Sequence, residues 1–218
     1  MEHEDTIEEV DLASCDPYHV WFISDTHFDH ANIIKYCNRP FKNTEEMNNF
    51  MLKTWNDTIS KVDLVFFVGD MAFGRSSRKP KWWVEQLNGQ KVYIKGSHDK
   101  GIRPTSEGLE SVLFIADAVI IQLEDKKIYV VHEPYKIPQS WKEWTIHGHV
   151  HNNSPHLDLI LKRFNVSVEV IDYKPRNLKY FLDIIDKEES TLEKVSKRIY
   201  LDAQNYIDGS FHNKEGSK

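Results

Sequence analysis

Val20-Trp21-Phe22-Ile23-Ser24-Asp25-Thr26-His27-Phe28-Asp29-His30 is the stretch around which the rest of the chain is organised. Its first four residues form a short β-branched and aromatic run, the pattern of a strand buried on both faces. A buried strand that stops on Ser-Asp-Thr-His delivers a carboxylate and an imidazole, Asp25 and His27, at the carboxyl edge of its sheet. Alternate residues of an extended chain point the same way, so the two side chains can converge on one point. Aspartate oxygen with histidine nitrogen is a donor set for a borderline divalent metal. Taken alone, Asp-x-His after a strand is more often turn chemistry than a ligand pair.

Other strand ends supply the support. Asp63–Val68 is a second apolar run and ends in Gly69-Asp70; Lys91–Lys95 is a third and ends in Gly96-Ser97-His98-Asp99. Lys127–Val131 ends in His132, and Trp144-Thr145-Ile146 leads into His147-Gly148-His149-Val150-His151. Five candidate strands thus each end in an Asp, a His or both. Ligands of open α/β sheets bind at the carboxyl ends of strands, so these ends are expected to meet in one crevice.

The intervening sequence fixes the fold class. Asn43-Thr44-Glu45-Glu46 opens a helix whose Met47, Met51, Trp55 and Ile59 share one apolar face, with Phe50 beside them. Pro80 suits the first turn of a second helix over 82–87, which Gly89 ends. Residues 19–96 therefore read strand, helix, strand, helix, strand, a βαβαβ run that implies a parallel sheet with right-handed crossovers. Ala118–Leu123 and Lys127–His132 flank Glu124-Asp125 as an antiparallel hairpin, and Asn165–Ile171 alternates as a further strand, so a second sheet is expected. Leu157–Arg163 reads equally as strand or loop. Ser190-Thr191-Leu192-Glu193 is expected to cap a final helix that buries Leu192, Val195, Ile199, Ala203 and Tyr206.

At 218 residues the chain can bury one sizeable core. We expect an acidic tail over 1–17, one domain over 18–207 and a polar tail over 208–218. The net charge of −6 arises in the first 16 residues, which hold seven acids and no Lys or Arg; the remaining 27 acids and 28 bases nearly cancel. A solvated, mobile tail and a neutral body follow, and the neutral body argues against a dedicated nucleic-acid binder. No apolar run approaches a membrane span, and the acidic first residues are no signal peptide. Two cysteines, Cys15 and Cys37, make no disulfide framework, so a reducing, cytoplasmic setting is expected.

The succession D-x-H, G-D, G-S-H-D, H, G-H-x-H resembles the calcineurin-like metallophosphoesterases from Val20 to about Pro175. Gly148-His149-Val150-His151 and Asp25-x-His27 carry most of that likeness; Arg39-Pro40-Phe41 and N-V-S-V-E-V add a similarity to small single-domain bacterial, archaeal and phage members. The resemblance implies the metallophosphatase fold, a four-layer α-β-β-α sandwich of two packed mixed sheets flanked by helices. It places Asp25, His27 and His151 on one metal, His132, His149 and the residue at Ser97 on a second, and Asp70 between them. It further implies two divalent ions (Mn, Fe, Ni, Co or Zn, with Mn favoured) and a small phosphorylated substrate. Metal-activated hydroxide would attack phosphorus, His98 would protonate the departing alkoxide and Asp99 would orient His98.

One position departs from the pattern: Ser97 stands where the family carries Asn. A hydroxyl is shorter and a poorer donor than an amide oxygen, so the second metal is expected to bind more weakly. Asn32 and Arg39 are candidate phosphate contacts. The basic cluster Arg75–Lys81 reads as a solvated loop that could hold a second phosphate, and Glu133 and Tyr135 lie beside His132. Trp141 and Trp144 read as base-stacking or plain packing. His30 and His147 are expected beyond the ligands, and His3, His19, His156 and His212 at the surface. The competing functions are a non-catalytic scaffold of the same fold, against which His98 and both histidines of Gly-His-x-His argue, and a metal-dependent nuclease.

Overall fold

The β-branched and aromatic runs form strands because their side chains are apolar on both faces. In the computed structural model, β2 (Val20–Ile23), β3 (Leu64–Phe67), β4 (Gln90–Ile94) and β5 (Val112–Ala116) lie side by side and parallel. β11 (Arg176–Asn177) closes the free edge of β2 in antiparallel fashion, giving a five-stranded sheet in the order β11-β2-β3-β4-β5. The structure describes residues 6–74, 77–99 and 110–212, without the side chains of 202–203 and 205–212.

Between these strands run α1 (Ala31–Tyr36), α2 (Thr44–Thr58) and α3 (Pro80–Gln86). Asn43 caps α2, its Oδ1 accepting the Glu46 amide at 2.9 Å. The expected stripe of α2 is buried: Met47, Met51 and Trp55, with Ile59 just beyond, join Phe67, Trp83 and Tyr93 in one cluster. Burying such side chains contributes about 1.5–3 kcal/mol each. Pro80 stands in the first turn of α3, as its fixed φ and missing amide favour.

Among the described residues the second sheet has six strands, in the order β1 (Ile7–Asp11), β6 (Ala118–Gln122), β7 (Lys127–Val131), β8 (Trp144–His147), β10 (Arg163–Asn165) and β9 (Leu157–Asp158). β6 (Ala118–Gln122) and β7 (Lys127–Val131) are the expected hairpin, Ala118 opposite Val131. β8 (Trp144–His147) runs parallel to β7, and β10 (Arg163–Asn165) parallel to β8. The face of β2 and β3 opposite the helices shows Phe22 and Phe66, fully buried with ring centroids 5.0 Å apart; Val119, Ile121 and Val130 of the six-stranded sheet are as deeply buried. The architecture is two mixed sheets with flanking helices.

Three expectations need correction, and one reading left open is settled. The acidic start is not a solvated tail throughout: β1 (Ile7–Asp11) pairs in parallel with β6, Ile7 opposite Ala118. Its backbone completes the sheet edge while its acidic side chains stay exposed, and charged edge strands resist pairing with other chains. The alternation over Asn165–Ile171 does not make a full strand. β10 stops at Asn165, Ser167 makes one bridge to Ser24, and Val168–Val170 turn into a 3₁₀ helix. Leu157–Arg163 resolves into β9 (Leu157–Asp158), a turn, and the start of β10. The final helix does not begin at Ser190: α4 runs unbroken over Leu178–His212.

Chain contacts divide the molecule into residues 1–178 and 179–218. The second unit is the body of α4, whose exposed surface carries the i,i+4 pair Lys197–Glu193 at 2.6 Å. Leu192, Val195 and Ile199, expected to be buried, are 52%, 50% and 63% exposed. Ala203 and Tyr206 fall outside the described side chains. The polar tail expected from 208 begins inside α4, and residues 213–218 lie outside the described residues.

Candidate active site at the carboxyl edge of both sheets

Each strand end that carried a polar motif delivers it to the same place. Beyond β2 and β3 the two chains stay zipped: the Asp25 amide donates to Gly69 O at 2.9 Å, His27 to Asp70 O at 3.0 Å and Phe28 to Met71 O at 2.8 Å. Further on, Gly148 donates to His132 O at 3.1 Å. Asp25, His27, Asp70, His149 and His151 all adopt positive φ, between 48° and 71°. Non-glycine residues in that region cost of order 1–3 kcal/mol each and persist where the surroundings over-determine them, as at functional sites.

Two groups of donors meet at the strand ends, and a third, Cys37 with Glu169, shares His151 with the first. Asp25, His27 and His151 offer ligand atoms within 4.8 Å of one another, and so do Asp70, His132 and His149. In the first group His27 Nε2 lies 3.8 Å and His151 Nε2 3.7 Å from Asp25 Oδ1. In the second, His132 Nε2 lies 3.3 Å from Asp70 Oδ2. The same Asp70 Oδ2 is 3.5 Å from His27 Nε2, so one carboxylate oxygen faces both groups. Ser97 Oγ, 3.3 Å from Asp70 Oδ2, stands at the second group, and His98 Nε2 lies 4.0 Å from that oxygen.

The surrounding hydrogen bonds aim these atoms inward. Asp25 Oδ2 accepts from Ser24 Oγ at 2.5 Å, Ser167 Oγ at 2.9 Å and the His149 amide at 2.9 Å, which leaves Oδ1 free. His132 directs Nδ1 to Val68 O at 2.7 Å and so presents Nε2. Two glycines make room. A Cβ on Gly69, whose φ is +88°, would stand 2.6 Å from His132 Nδ1; one on Gly148 would stand 2.4 Å from Asp25 Oδ2.

The donors fit a divalent cation. Asp25 Oδ1 and His27 Nε2 are buried without a hydrogen-bond partner, which costs free energy unless something else satisfies them. In the metal-free protein burial works against Asp25 ionising, but the charges of His132, His27 and His151 hold its carboxyl far below the usual range. The converse holds for the imidazoles. Burial disfavours their charge, yet Asp25 and Asp70 raise His132 to about 9. A contact with Cys37, together with Glu169 and Asp25, raises His151 to about 10. A pocket that draws protons onto His132 and His151 is short of positive charge beside them, which a metal would supply, whereas burial and the charge of His132 lower His149.

Several candidate residues have different partners from those expected. Arg39 is buried and engaged by the protein itself: its guanidinium donates to Glu169 Oε1 at 2.6 and 2.8 Å, to Asp25 O at 2.7 Å and to Thr26 O at 2.8 Å. It clamps the loop that carries the first ligands. Asp99 does not orient His98. Its buried carboxylate accepts the amides of Asp70 at 2.7 Å, Gly96 at 2.9 Å and Met71 at 3.1 Å. A carboxylate adjacent to a histidine in sequence turned instead toward three amides that burial left without acceptors. Asn32 is exposed on α1 and lines a cavity beside His98.

The basic cluster is only partly available. Arg78 is fixed to Asp29 through Nε at 3.1 Å and Nη2 at 2.9 Å, while Arg75 lies outside the described residues. Tyr135 donates to Glu133 at 2.5 Å beside His149. Trp144 is buried and stacked on Phe164, and Trp141 donates to Trp144 O, so both pack rather than face a base. His30 lies beyond the ligands with its ring 5.5 Å from that of His27, and burial with the neighbouring imidazoles lowers it to about 4. His147 is buried, pairing with Gly148 O. His19 is exposed as expected and bonded to Asp63, whereas His156 is half-buried against Asn165 O. His3 and the side chain of His212 fall outside the description.

Glu169 is the residue the sequence reading missed. Its Oε1 accepts both from Arg39 and from His151 Nδ1 at 3.0 Å, which aims His151 Nε2 at Asp25. It lies within N-V-S-V-E-V, where a strand pattern concealed it. Removing such a partner of a ligating imidazole costs about 10–100-fold in metal affinity. Glu169→Gln is therefore expected to weaken Mn²⁺ binding by about that factor. Calorimetric titration checks this, with thermal unfolding run in parallel because Arg39 loses its counter-charge.

Comparison with known proteins agrees with this geometry. The model of the calcineurin-like phosphoesterase family matches residues 18–189. The uncharacterized protein MJ1445 of Methanocaldococcus jannaschii is 40% identical over 174 residues, 77% of this chain and 92% of that protein. The gene 66 protein of Mycobacterium phage L5 is 30% identical over 81 residues, 36% of this chain and 39% of its own length. Among solved structures, the protein of unknown function AQ665 from Aquifex aeolicus superposes with a TM-score of 0.57 at 26% identity, covering 76% of this chain and 98% of that one. With the family model spanning both donor groups and most of the fold, the chain belongs to the calcineurin-like phosphoesterase family, metal-dependent hydrolases of phosphoester bonds.

Proposed function

We propose that this chain hydrolyses a small phosphate ester at a centre of two divalent cations, with Mn²⁺ the favoured metal, in a reducing cytoplasmic setting. The observation that carries the proposal is Asp70 Oδ2, 3.5 Å from His27 of one donor group and 3.3 Å from His132 of the other. Two dications held close together repel, and a carboxylate oxygen between them offsets that repulsion. Asp25, His27 and His151 hold one ion; His132, His149 and Ser97 hold the other. Ions held there would supply an acidified water and neutralisation of the phosphate charge.

The chain's own part is positional and protonic. The His98 amide donates to Asp70 Oδ1 at 2.8 Å, which fixes the backbone of the acid to the carboxylate between the metals. The His98 ring stays exposed at the mouth, 39% accessible, where it can give a proton to the departing alkoxide. Asn32 faces the same opening. The test is hydrolysis of a bis-aryl and a mono-aryl phosphate with Mn²⁺, Fe²⁺, Co²⁺, Ni²⁺ and Zn²⁺. His98→Ala is expected to lower kcat by about 10²–10⁴-fold with metal content unchanged. No turnover of either ester with any metal would leave a scaffold in place of an enzyme.

Ser97 sets the strength of the second metal. Its hydroxyl reaches Asp70 Oδ2 at 3.3 Å, and an amide oxygen one atom further out would be a better ligand. Ser97→Asn is expected to tighten the weaker of two Mn²⁺ sites about tenfold, a value bounded by what partners of metal ligands are worth. Equal occupancy and equal rate in both proteins would refute the weakened site.

A further inference from the structure

A cavity of about 580 Å³ opens beside His98 and holds none of the six Asp and His metal ligands. Its walls include His30, Asn32, Phe73, Lys79 and Pro80. Phe73 stands out among them. It is 39% exposed, although a Phe usually buries its ring, and it lies between two imidazoles. The ring centroid is 4.2 Å from that of His98, tilted by 55°, and 4.8 Å from that of His30 in an edge-on arrangement. Both histidines thus hold the ring in place while one side remains open to the cavity.

The neighbouring backbone supports this placement. The Phe73 amide donates to Phe28 O at 3.2 Å, and Ala72 bridges to Phe28, so the segment bearing Phe73 is tied to the loop that carries Asp25 and His27. The Asp29–Arg78 ion pair ties the residue before Lys79 to that loop as well. Lys79 has no ion-pair partner among the described residues, which leaves a cation on the cavity wall.

We infer that this cavity is the leaving-group subsite and that it takes a planar aromatic group stacked on Phe73. The inference rests on the proposed hydrolysis for its orientation: the group that His98 protonates is bonded to the oxygen beside it, so whatever follows that oxygen enters the cavity His98 lines. An aromatic face favours a flat partner over a puckered one of similar size, because the ring quadrupole rewards stacked or edge-on contact beyond area alone. Lys79 extends the preference to aromatic leaving groups that carry an anion of their own.

The test separates binding from turnover. Benzylphosphonate and cyclohexylmethylphosphonate carry the same charge, differ in the flatness of the ring, and have a methylene in place of the ester oxygen, so neither is hydrolysed. Calorimetric titration of each into the Mn²⁺-loaded protein is expected to show the benzyl compound binding about fivefold more tightly, a preference that falls to within about twofold in Phe73→Leu and returns in Phe73→Trp. Equal affinity for the two phosphonates, or a preference that Phe73→Leu leaves intact, overturns the subsite. In the Mn²⁺-loaded protein, methyl phosphodiesters with a phenyl leaving group and with a fluoroalkyl leaving group of similar acidity are then compared. Faster turnover of the phenyl diester, lost in Phe73→Leu, supports the subsite. Equal turnover of both diesters overturns it while the proposed hydrolysis stands. A phenyl preference in binding with no turnover of any ester supports the aromatic pocket and removes the hydrolysis.

Discussion

Asp99→Ala is expected to lower folding stability by about 3–5 kcal/mol, the largest effect of any single substitution near the site. The carboxylate is buried and accepts three amides, from Asp70, Gly96 and Met71. Alanine leaves all three donors without an acceptor, at about 1–3 kcal/mol for each one that water does not reach. Burial and the nearby charge of Asp70 push the Asp99 pKa up, while hydrogen bonds from the Gly96 amide, the Tyr93 hydroxyl and the Asp70 amide pull the other way. Asp99→Asn keeps one acceptor oxygen and should lose less. Urea unfolding of both variants measures the difference; a loss below about 1 kcal/mol for alanine would mean that these bonds contribute little. Because two of the three amides precede or belong to Asp70 and Met71, activity should fall along with stability.

Asp70→Asn is expected to abolish turnover by about 10³-fold or more while the protein stays folded. The substitution preserves shape and keeps an oxygen for the His98 amide, which donates at 2.8 Å. It removes the negative charge between the two donor groups, each with an imidazole within 3.5 Å of that carboxylate. In the proposed centre two ions would then face each other without an anion between them, so the bound Mn²⁺ is expected to fall from two per chain to one. Metal analysis after dialysis, with circular dichroism as the folding control, checks both parts. Two retained ions would mean that Asp70 does not lie between them.

The βαβαβ run, the capped α2 and the β6–β7 hairpin were readable because each rests on local rules: apolar runs of strand length, an Asn ahead of Glu46, and a two-acid turn between alternating segments. Errors fell where tertiary contact overrides the local pattern. The acidic start became β1 because β6 had a free edge for it. Asn165–Ile171 alternates like a strand, yet Ser167 turns out of line to bond Asp25, and Glu169 turns to His151. The helical stripe Leu192, Val195 and Ile199 has the right spacing for burial and remains exposed. Periodicity states which side chains share a face, and what covers that face is a separate matter.

The sequence by itself determined which donors exist and that they follow strand ends, because strand formation is local and parallel crossovers bring carboxyl ends to one edge. Only the tertiary structure decided how they are aimed. That Asp70 Oδ2 faces both His27 and His132, that Arg39 clamps the Asp25 loop, and that Asp99 turns from His98 to the amides of Asp70 and Met71 depend on contacts between residues 14 to 130 positions apart. So does the left-handed backbone of the five Asp and His donor residues: these types enter that region more readily than most, but the surrounding hydrogen bonds hold all five there together.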